Sequence, residues 1–330
     1  MSERYDVVAI GNAIVDVLAR VEDDFLSAHG VPKGAMQLIG TGDAARLYGA
    51  MPPSEEISGG SAANTVAGLA ALGARTAFIG KTRADQLGRI FAHDIRAQGA
   101  RYDGPVADGE ADGETGRCLV MVTPDGQRSM GTYLGVSASL APEDIDTGLA
   151  GAADWLYLEG YLFDSPAAKE AYSRAIRAAK AGGGRVAFTV SDPFCVDRHR
   201  ADMKALIAAD VDLLFANRDE LLALYETDDL ETALDRVAGD VAMAAVTLSE
   251  EGAMVVTPAG RFPTPTVATE VMDTTGAGDL FAAGFLAGLA KGREPIECAR
   301  MGCVAAAEVI SHMGARPVAD LPELMARAGL

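Results

Sequence analysis

The segment 273–292, DTTGAGDLFAAGFLAGLAKG, sets two glycines, Gly276 and Gly278, where a helix should begin. Leu280, Phe281, Phe285, Leu286 and Leu289 recur at three- and four-residue intervals, and Gly292 stands past the end. Each glycine weakens a helical turn by about 1 kcal/mol relative to alanine. A chemical use offsets that loss. The first N–H groups of a helix lack intrahelical partners, the dipole is positive there, and glycines let an anion approach closely. Gly276, Ala277 and Gly278 therefore read as an anion hole. Asp279 follows at once. A carboxylate beside a phosphate would repel it unless it had a proton to take, which is the task of a general base for a hydroxyl attacking a phosphoryl group. The simpler alternative, an aspartate favouring a helix N-terminus, explains Asp279 but not the two glycines before it.

A second glycine pair opens another helix in EISGGSAANTVAGLAALG. Gly60, Ser61 and Asn64 put small and polar groups at a strand-to-helix turn, suited either to a hydroxylated ligand or to a plain Ser61 cap. Asp16, an acid among the apolar strand residues of GNAIVDV, faces solvent or offers two acceptors to ligand hydroxyls. LLFANRDELLAL ends a buried strand at Asn217 and places Glu220 three residues on. That pair forms a capping box, and it could also hold hydrated Mg²⁺ through the ion's waters. VTLSEEGAMVV gives a strand end at Thr247 and a turn at Gly252, on its own only a hairpin signal.

Several classes are excluded. GARTAFIGKT has Arg75 where a Walker A loop needs its first glycine, and it reads as a strand. GNAIVDV lacks the dinucleotide fingerprint. A net charge of −19 disfavours a nucleic-acid partner, since phosphate polymers need a basic face. The four cysteines are scattered without CxxC spacing, so neither a disulfide framework nor a structural zinc site is expected. No apolar run is long enough for a membrane span and MSERYDVVAIG shows no secretory signal, so a cytoplasmic setting fits.

Apolar strands such as YDVVAIG, RTAFIG, DWLYLEG, RVAFTV and VDLLFAN alternate with helical segments. This rhythm predicts an α/β fold with a doubly wound, mostly parallel sheet and helices on both faces, ligands lying at the carboxyl ends of the strands. Two insertions interrupt it, at about 13–40 and 101–135. The second contains GRCLVMVTPDGQRSMGTYLG, a hairpin turning at Pro124-Asp125-Gly126. Together they read as a small β-lid on a single domain spanning 1–330.

On these stretches the sequence resembles the ribokinase-like sugar and nucleoside kinases of the phosphofructokinase-B type. DTTGAGDLFAAGFL is similar to that family's C-terminal signature and GGSAANTVAGLAALGARTAFIGK to its N-terminal one. The resemblance implies ATP and Mg²⁺, Asp279 as catalytic base, an anion hole at Gly276, Ala277 and Gly278, and Arg128 brought towards the transferring phosphate. It also implies ATP contacts at Asn217, Thr247, Gly252 and Gly278, with the metal supported by Asn217 and Glu220 through water. Gly252 arrives two residues later than the family pattern has it. GGSAANT, GQRSMGTYLG and LEGYLF look more like the adenosine kinase branch, and Ser61 stands where ribokinases carry a lysine. That places Asn12, Asp16, Gly60, Ser61 and Asn64 around a ribose, and Gln37, Met130 and Tyr161 near a base. The expected activity is ATP-dependent phosphorylation of a primary hydroxyl, the 5′-OH of adenosine or a related nucleoside. The alternatives are a sugar kinase for ribose, a ketohexose or a keto-deoxy sugar acid, and a non-catalytic nucleotide-binding protein. A monovalent cation, and the choice between monomer and homodimer, are left open.

Overall fold

In the computed structural model, which describes residues 4–107 and 113–330, eight strands form the main sheet. From one edge they run Gly260–Thr264, Ala253–Thr257, Met243–Thr247, Leu213–Asn217, Arg185–Thr189, Ala153–Glu159, Tyr5–Ile10 and Thr76–Ile79. The first three strands run antiparallel to their neighbours in turn, and the remaining pairs are parallel. Strand alternation supplies both faces with apolar groups. Val7 and Ala9 belong to one core and Val8 and Ile10 to the other, all fully buried. Helices Ser61–Ala71, Ala277–Ala290 and Pro295–Val309 cover the first face. Helices Pro166–Ala181, Pro193–Asp210, Arg218–Tyr225 and Leu230–Asp240 cover the second. This is the doubly wound α/β arrangement that the alternating pattern predicts.

A smaller five-stranded sheet runs in the order Met36–Leu38, Arg128–Gly135, Thr115–Val122, Ile14–Arg20 and Glu55–Gly59. The hairpin turns at 123–127, with Gly126 at φ 81°. The edge strand Glu55–Gly59 lies outside the insertion read at 13–40, because two glutamates and a serine in EEISG hide its β character. Part of the second insertion, 108–112, lies outside the described residues. One face of this sheet, with Val15, Val17, Leu119 and Met121, packs on Leu47 of helix Thr41–Ala50 and on Leu87, Phe91 and Ile95 of helix Gln86–Ala97. The opposite face carries Asp16 among Ile14, Leu18, Cys118, Val120 and Met130. No described helix is long and apolar enough to cross a membrane.

Candidate active site

The glycine turn before helix Ala277–Ala290 is held from three sides. Gly276 has φ 79°, and a Cβ there would sit 2.8 Å from the Ala315 methyl group, so only glycine fits. The Asp273 carboxylate accepts from Thr275 N at 3.0 Å and from Gly314 N at 2.9 Å, and it pairs with Arg128. Burial raises the Asp273 carboxyl, but those donors outweigh it and hold the group below the usual aspartate range. Ala277 N–H turns back to Thr274 O at 3.2 Å. Among the described residues the N–H groups of Gly276, Gly278 and Asp279 have no hydrogen-bond partner. Of the three residues expected to form an anion hole, Gly276 and Gly278 have open N–H groups, as does Asp279, whereas that of Ala277 is bonded. A Cβ on Gly278 would meet nothing within 4 Å, so space lies in front of these groups.

Asp279 is gripped by the other glycine-led helix. Ser61 Oγ donates to Oδ1 at 2.6 Å, Asn64 Nδ2 donates to Oδ2 at 2.9 Å, and Thr65 Oγ donates to the Asp279 carbonyl at 3.2 Å. Helix Ser61–Ala71 can approach because Gly60 takes φ 98°, in a turn where a Cβ would lie 2.3 Å from Asn12 O. Burial pushes the Asp279 carboxyl above the ordinary range. The Ser61 and Asn64 hydrogen bonds and the Arg316 charge oppose that rise. The outcome is a carboxylate fixed on two sides, with one lone pair on each oxygen still free.

Asp16 has no hydrogen-bond partner among the described residues, so both its oxygens are free acceptors. Its carboxyl lies over Gly59, where a Cβ would come within 2.4 Å of Cγ. Burial pushes Asp16 up to about 6; the Arg316 and Arg128 charges oppose the rise and Asp279 adds to it. Asn12 is different from its expected role. It donates backbone N and Nδ2 to Glu159 Oε1, both at 2.8 Å, and its Oδ1 accepts from Ser137 Oγ at 2.9 Å. It is 3% exposed, so it shapes the turn from within. Gln37 departs further. Strand register aligns Gln37 with Gly131 and Leu119, whereas Leu38, Thr132, Cys118 and Asp16 form the neighbouring row. Gln37 therefore lies on the opposite face from Asp16 and Met130. Tyr161 also moves: its hydroxyl donates to Ser191 O at 3.3 Å. Burial raises that hydroxyl well above its usual range, and the charges of Asp192, Asp279 and Glu220 add to the rise. Its ring hydroxyl is thus tied to the Ser191 backbone.

At the carboxyl end of strand Leu213–Asn217, the capping box is complete. Asn217 Oδ1 accepts from Glu220 N at 2.8 Å, Glu220 Oε2 accepts from Asn217 N at 2.9 Å, and Nδ2 donates to Oε1 at 2.6 Å. Burial pushes Glu220 up to about 7, although the Asn217 backbone hydrogen bond opposes it. Thr247 stands beside Asn217 in register. Gly252 has φ 92°, and a Cβ there would lie 2.1 Å from Thr264 O, so hairpin packing accounts for this glycine. Each Glu220 oxygen accepts one hydrogen bond and keeps a lone pair. No cluster of three or more metal-ligating side chains exists among the described residues. The donor set therefore suits a hydrated Mg²⁺ held through its waters and not a directly liganded ion. Arg128, from the small sheet, donates Nη1 to the Asp273 carboxylate and to Thr275 Oγ, at the foot of the open N–H groups.

Three residues at this site carried no assignment in the sequence. Asp273 lay inside the signature stretch. Glu159 ends the buried strand of DWLYLEG, and an acid closing an apolar run was the available signal. Arg316, in GARPVAD, gave none.

Residues 50–322 match the family model described as pfkB family carbohydrate kinase. The chain is 50% identical to the adenosine kinase of Sinorhizobium meliloti, whose crystal structure superposes with a TM-score of 0.90 over 98% of this chain and 99% of that one. A structure described as a probable sugar kinase protein from Rhizobium etli CFN 42 is 47% identical, with a TM-score of 0.91 over 99% of both chains. Among curated relatives, the ATP-dependent ribose-1-phosphate kinase of Halopiger xanaduensis is 36% identical over 69% of this chain and 72% of its own. With a signature turn, a gripped aspartate and a family match over most of its length, the chain belongs to the pfkB family of carbohydrate kinases, ATP-dependent phosphotransferases acting on sugars or nucleosides.

Proposed function

We propose that the protein transfers the γ-phosphoryl group of ATP to the 5′-hydroxyl of adenosine or a closely related nucleoside. The observation that carries the kinase chemistry is Asp279, fixed by Ser61 and Asn64 one residue after the open N–H group of Gly278. Asp279 takes the hydroxyl proton as the new O–P bond forms and the bond to the departing ADP oxygen breaks. The N–H groups of Gly276, Gly278 and Asp279 face the charge that develops on the phosphoryl oxygens. Asp16 accepts from ligand hydroxyls. Glu220 and Asn217 would hold a hydrated Mg²⁺, which supplies charge neutralisation to the nucleotide phosphates when bound. Arg128 adds positive charge at the same turn, steadied by Asp273.

Support for a nucleoside acceptor comes from the 50%-identical adenosine kinase and from the apolar wall of Ile14, Leu18, Val120 and Met130 beside Asp16. That wall suits the face of a base. The sugar-kinase reading keeps one specific support: Gln37, the expected reader of a base edge, lies on the opposite sheet face from Met130. Steady-state assays with adenosine, inosine, ribose and fructose decide between them. Adenosine is expected to have the highest kcat/KM, and Asp279→Asn to lower kcat by about 10²- to 10⁴-fold with binding retained. A free sugar with the highest kcat/KM moves the acceptor to the sugar class. An Asp279→Asn variant with near wild-type turnover removes the general-base assignment.

A further inference from the structure

Three consecutive residues after helix Pro295–Val309 each touch a different part of the cleft. Gly314 N donates to Asp273, Ala315 closes on Gly276, and Arg316 reaches the glycine turn that precedes Ser61. The Arg316 side chain is buried, with the residue 9% exposed. Nε donates to Ser58 O at 3.1 Å, Nη2 to Ser58 O and to Ser58 Oγ at 2.9 Å, and Nη1 to Ala63 O at 2.5 Å. The fork thus spans Gly59 and Gly60 and ties both flanks of the turn. Asp94 completes the clamp, accepting from Ser58 N at 2.9 Å and from Ser58 Oγ. No carboxylate lies within ion-pair distance of Arg316 among the described residues, so a buried cation is held by neutral acceptors alone. Such a charge is expensive to bury and acts at longer range on nearby anions. The anions it acts on are Asp16, Asp94 and Asp279.

We infer that Arg316 is a positioning residue for phosphoryl transfer: its fork fixes the acceptor turn that carries Ser61 and Asn64, and its buried guanidinium places an unpaired positive charge beside that turn. This inference rests on Asp279 acting as the base. Two substitutions separate the halves. Lysine keeps the charge but cannot span Ser58 and Ala63, whereas methionine keeps the bulk and removes the charge.

Several groups face Asp279 besides Arg316. Ser61 and Asn64 donate to it. Asp16, Glu159, Glu220, Tyr157 and Tyr161 are coupled to its charge, and Arg128 is coupled to Asp16. With so many anions in place, removing the buried cation leaves the carboxyl harder to ionise. The acid limb of the kcat profile should then move to higher pH in Arg316→Met. In Arg316→Lys that limb should stay, while the acceptor KM rises about tenfold and the ATP KM stays within about twofold.

Far-ultraviolet circular dichroism and thermal unfolding report whether each variant folds. If the methionine variant does not fold, the lysine variant decides. A raised acceptor KM at unchanged ATP KM supports the clamp, and wild-type constants overturn it. An unmoved acid limb in a folded methionine variant overturns the charge role, and equal rises in both KM values overturn the positioning role. The two readings fail separately. Full turnover in Asp279→Asn defeats the base, whereas an inactive Asp279→Asn beside a wild-type-like Arg316→Lys defeats only the inference about Arg316.

Discussion

Helices Ser61–Ala71 and Ala277–Ala290 both start on a glycine with positive φ, Gly60 at 98° and Gly276 at 79°, and they pack against each other. At the first, the anion is internal. Glu159, fully buried, accepts from Ala62 N at 2.9 Å and ties the same carboxylate to Asn12. At the second, among the described residues no carboxylate accepts from the N–H groups of Gly276, Gly278 or Asp279, and open space lies over Gly278. The same local geometry therefore makes a sealed joint in one place and leaves open donors in the other. What separates them is whether the fold delivers its own anion. A glycine-led helix start is not in itself a binding site.

Filling the empty turn is expected to have the largest effect. Alanine at Gly278 fits the fold and should strengthen the helix by up to about 1 kcal/mol. Its methyl group should crowd the open N–H groups and lower kcat by roughly ten- to a hundredfold, approaching the scale of a lost transition-state donor. Thermal unfolding and kinetics on one preparation of Gly278→Ala check both halves. A stable variant with unchanged kcat would mean that this turn takes no anion.

Disturbing the sealed turn should act on stability first. In Glu159→Gln the amide offers one acceptor oxygen, so an N–H of Asn12 or Ala62 loses its partner at a cost of about 1–3 kcal/mol. The pH dependence is more specific. Burial raises Glu159 from the ordinary 4.5 to about 7, despite three N–H donors. The folded state therefore binds this proton more tightly than the unfolded chain. Its stabilising contribution is present below pH 4.5 and is lost as pH rises through about 7. Asp16, Glu220 and Asp279, also raised, act in the same direction. Unfolding midpoints measured near pH 5 and near pH 7.5 should draw together in the glutamine variant without becoming equal. A gap as wide as the wild type's would assign the dependence to the other raised acids.

A third helix start sharpens the contrast with a smaller effect. Helix Arg218–Tyr225 is closed by its own side chains, Asn217 and Glu220. Glu220→Gln should lower stability by about 1 kcal/mol, the usual scale of a cap. It should also raise the Mg²⁺ concentration needed for half-maximal rate a few-fold. If stability alone moves, Glu220 is a cap and nothing more.

What could be read from the sequence was mostly local. The turn at 276–279, the box at Asn217 and Glu220 and the hairpin around Gly126 all lie within a few residues, where steric and capping rules act directly. The alternation of buried strands with helices was equally plain. The partners of Asp279 were not: Ser61 and Asn64 lie 218 and 215 residues away, and nothing in either stretch names the other. Gln37 was misplaced by parity. Its strand has three residues, Met36–Leu38, too few to show a period, and a shift of one residue exchanges the faces. Arg316 sits in a loop with no periodic pattern, and its partners are backbone carbonyls, which leave no trace in residue type.

The clamp of Arg316 on Ser58 closes a separation of 258 residues. Contacts that distant form late, because the chain between them must be ordered before they reward closure. During synthesis the first strands emerge long before residue 316, so the acceptor turn exists as a glycine hinge with no lock. The clamp is therefore completed only when helix Pro295–Val309 has docked and carried Gly314, Ala315 and Arg316 into place. A polypeptide that ends before residue 314 can hold much of the sheet and still leave the acceptor turn unclamped.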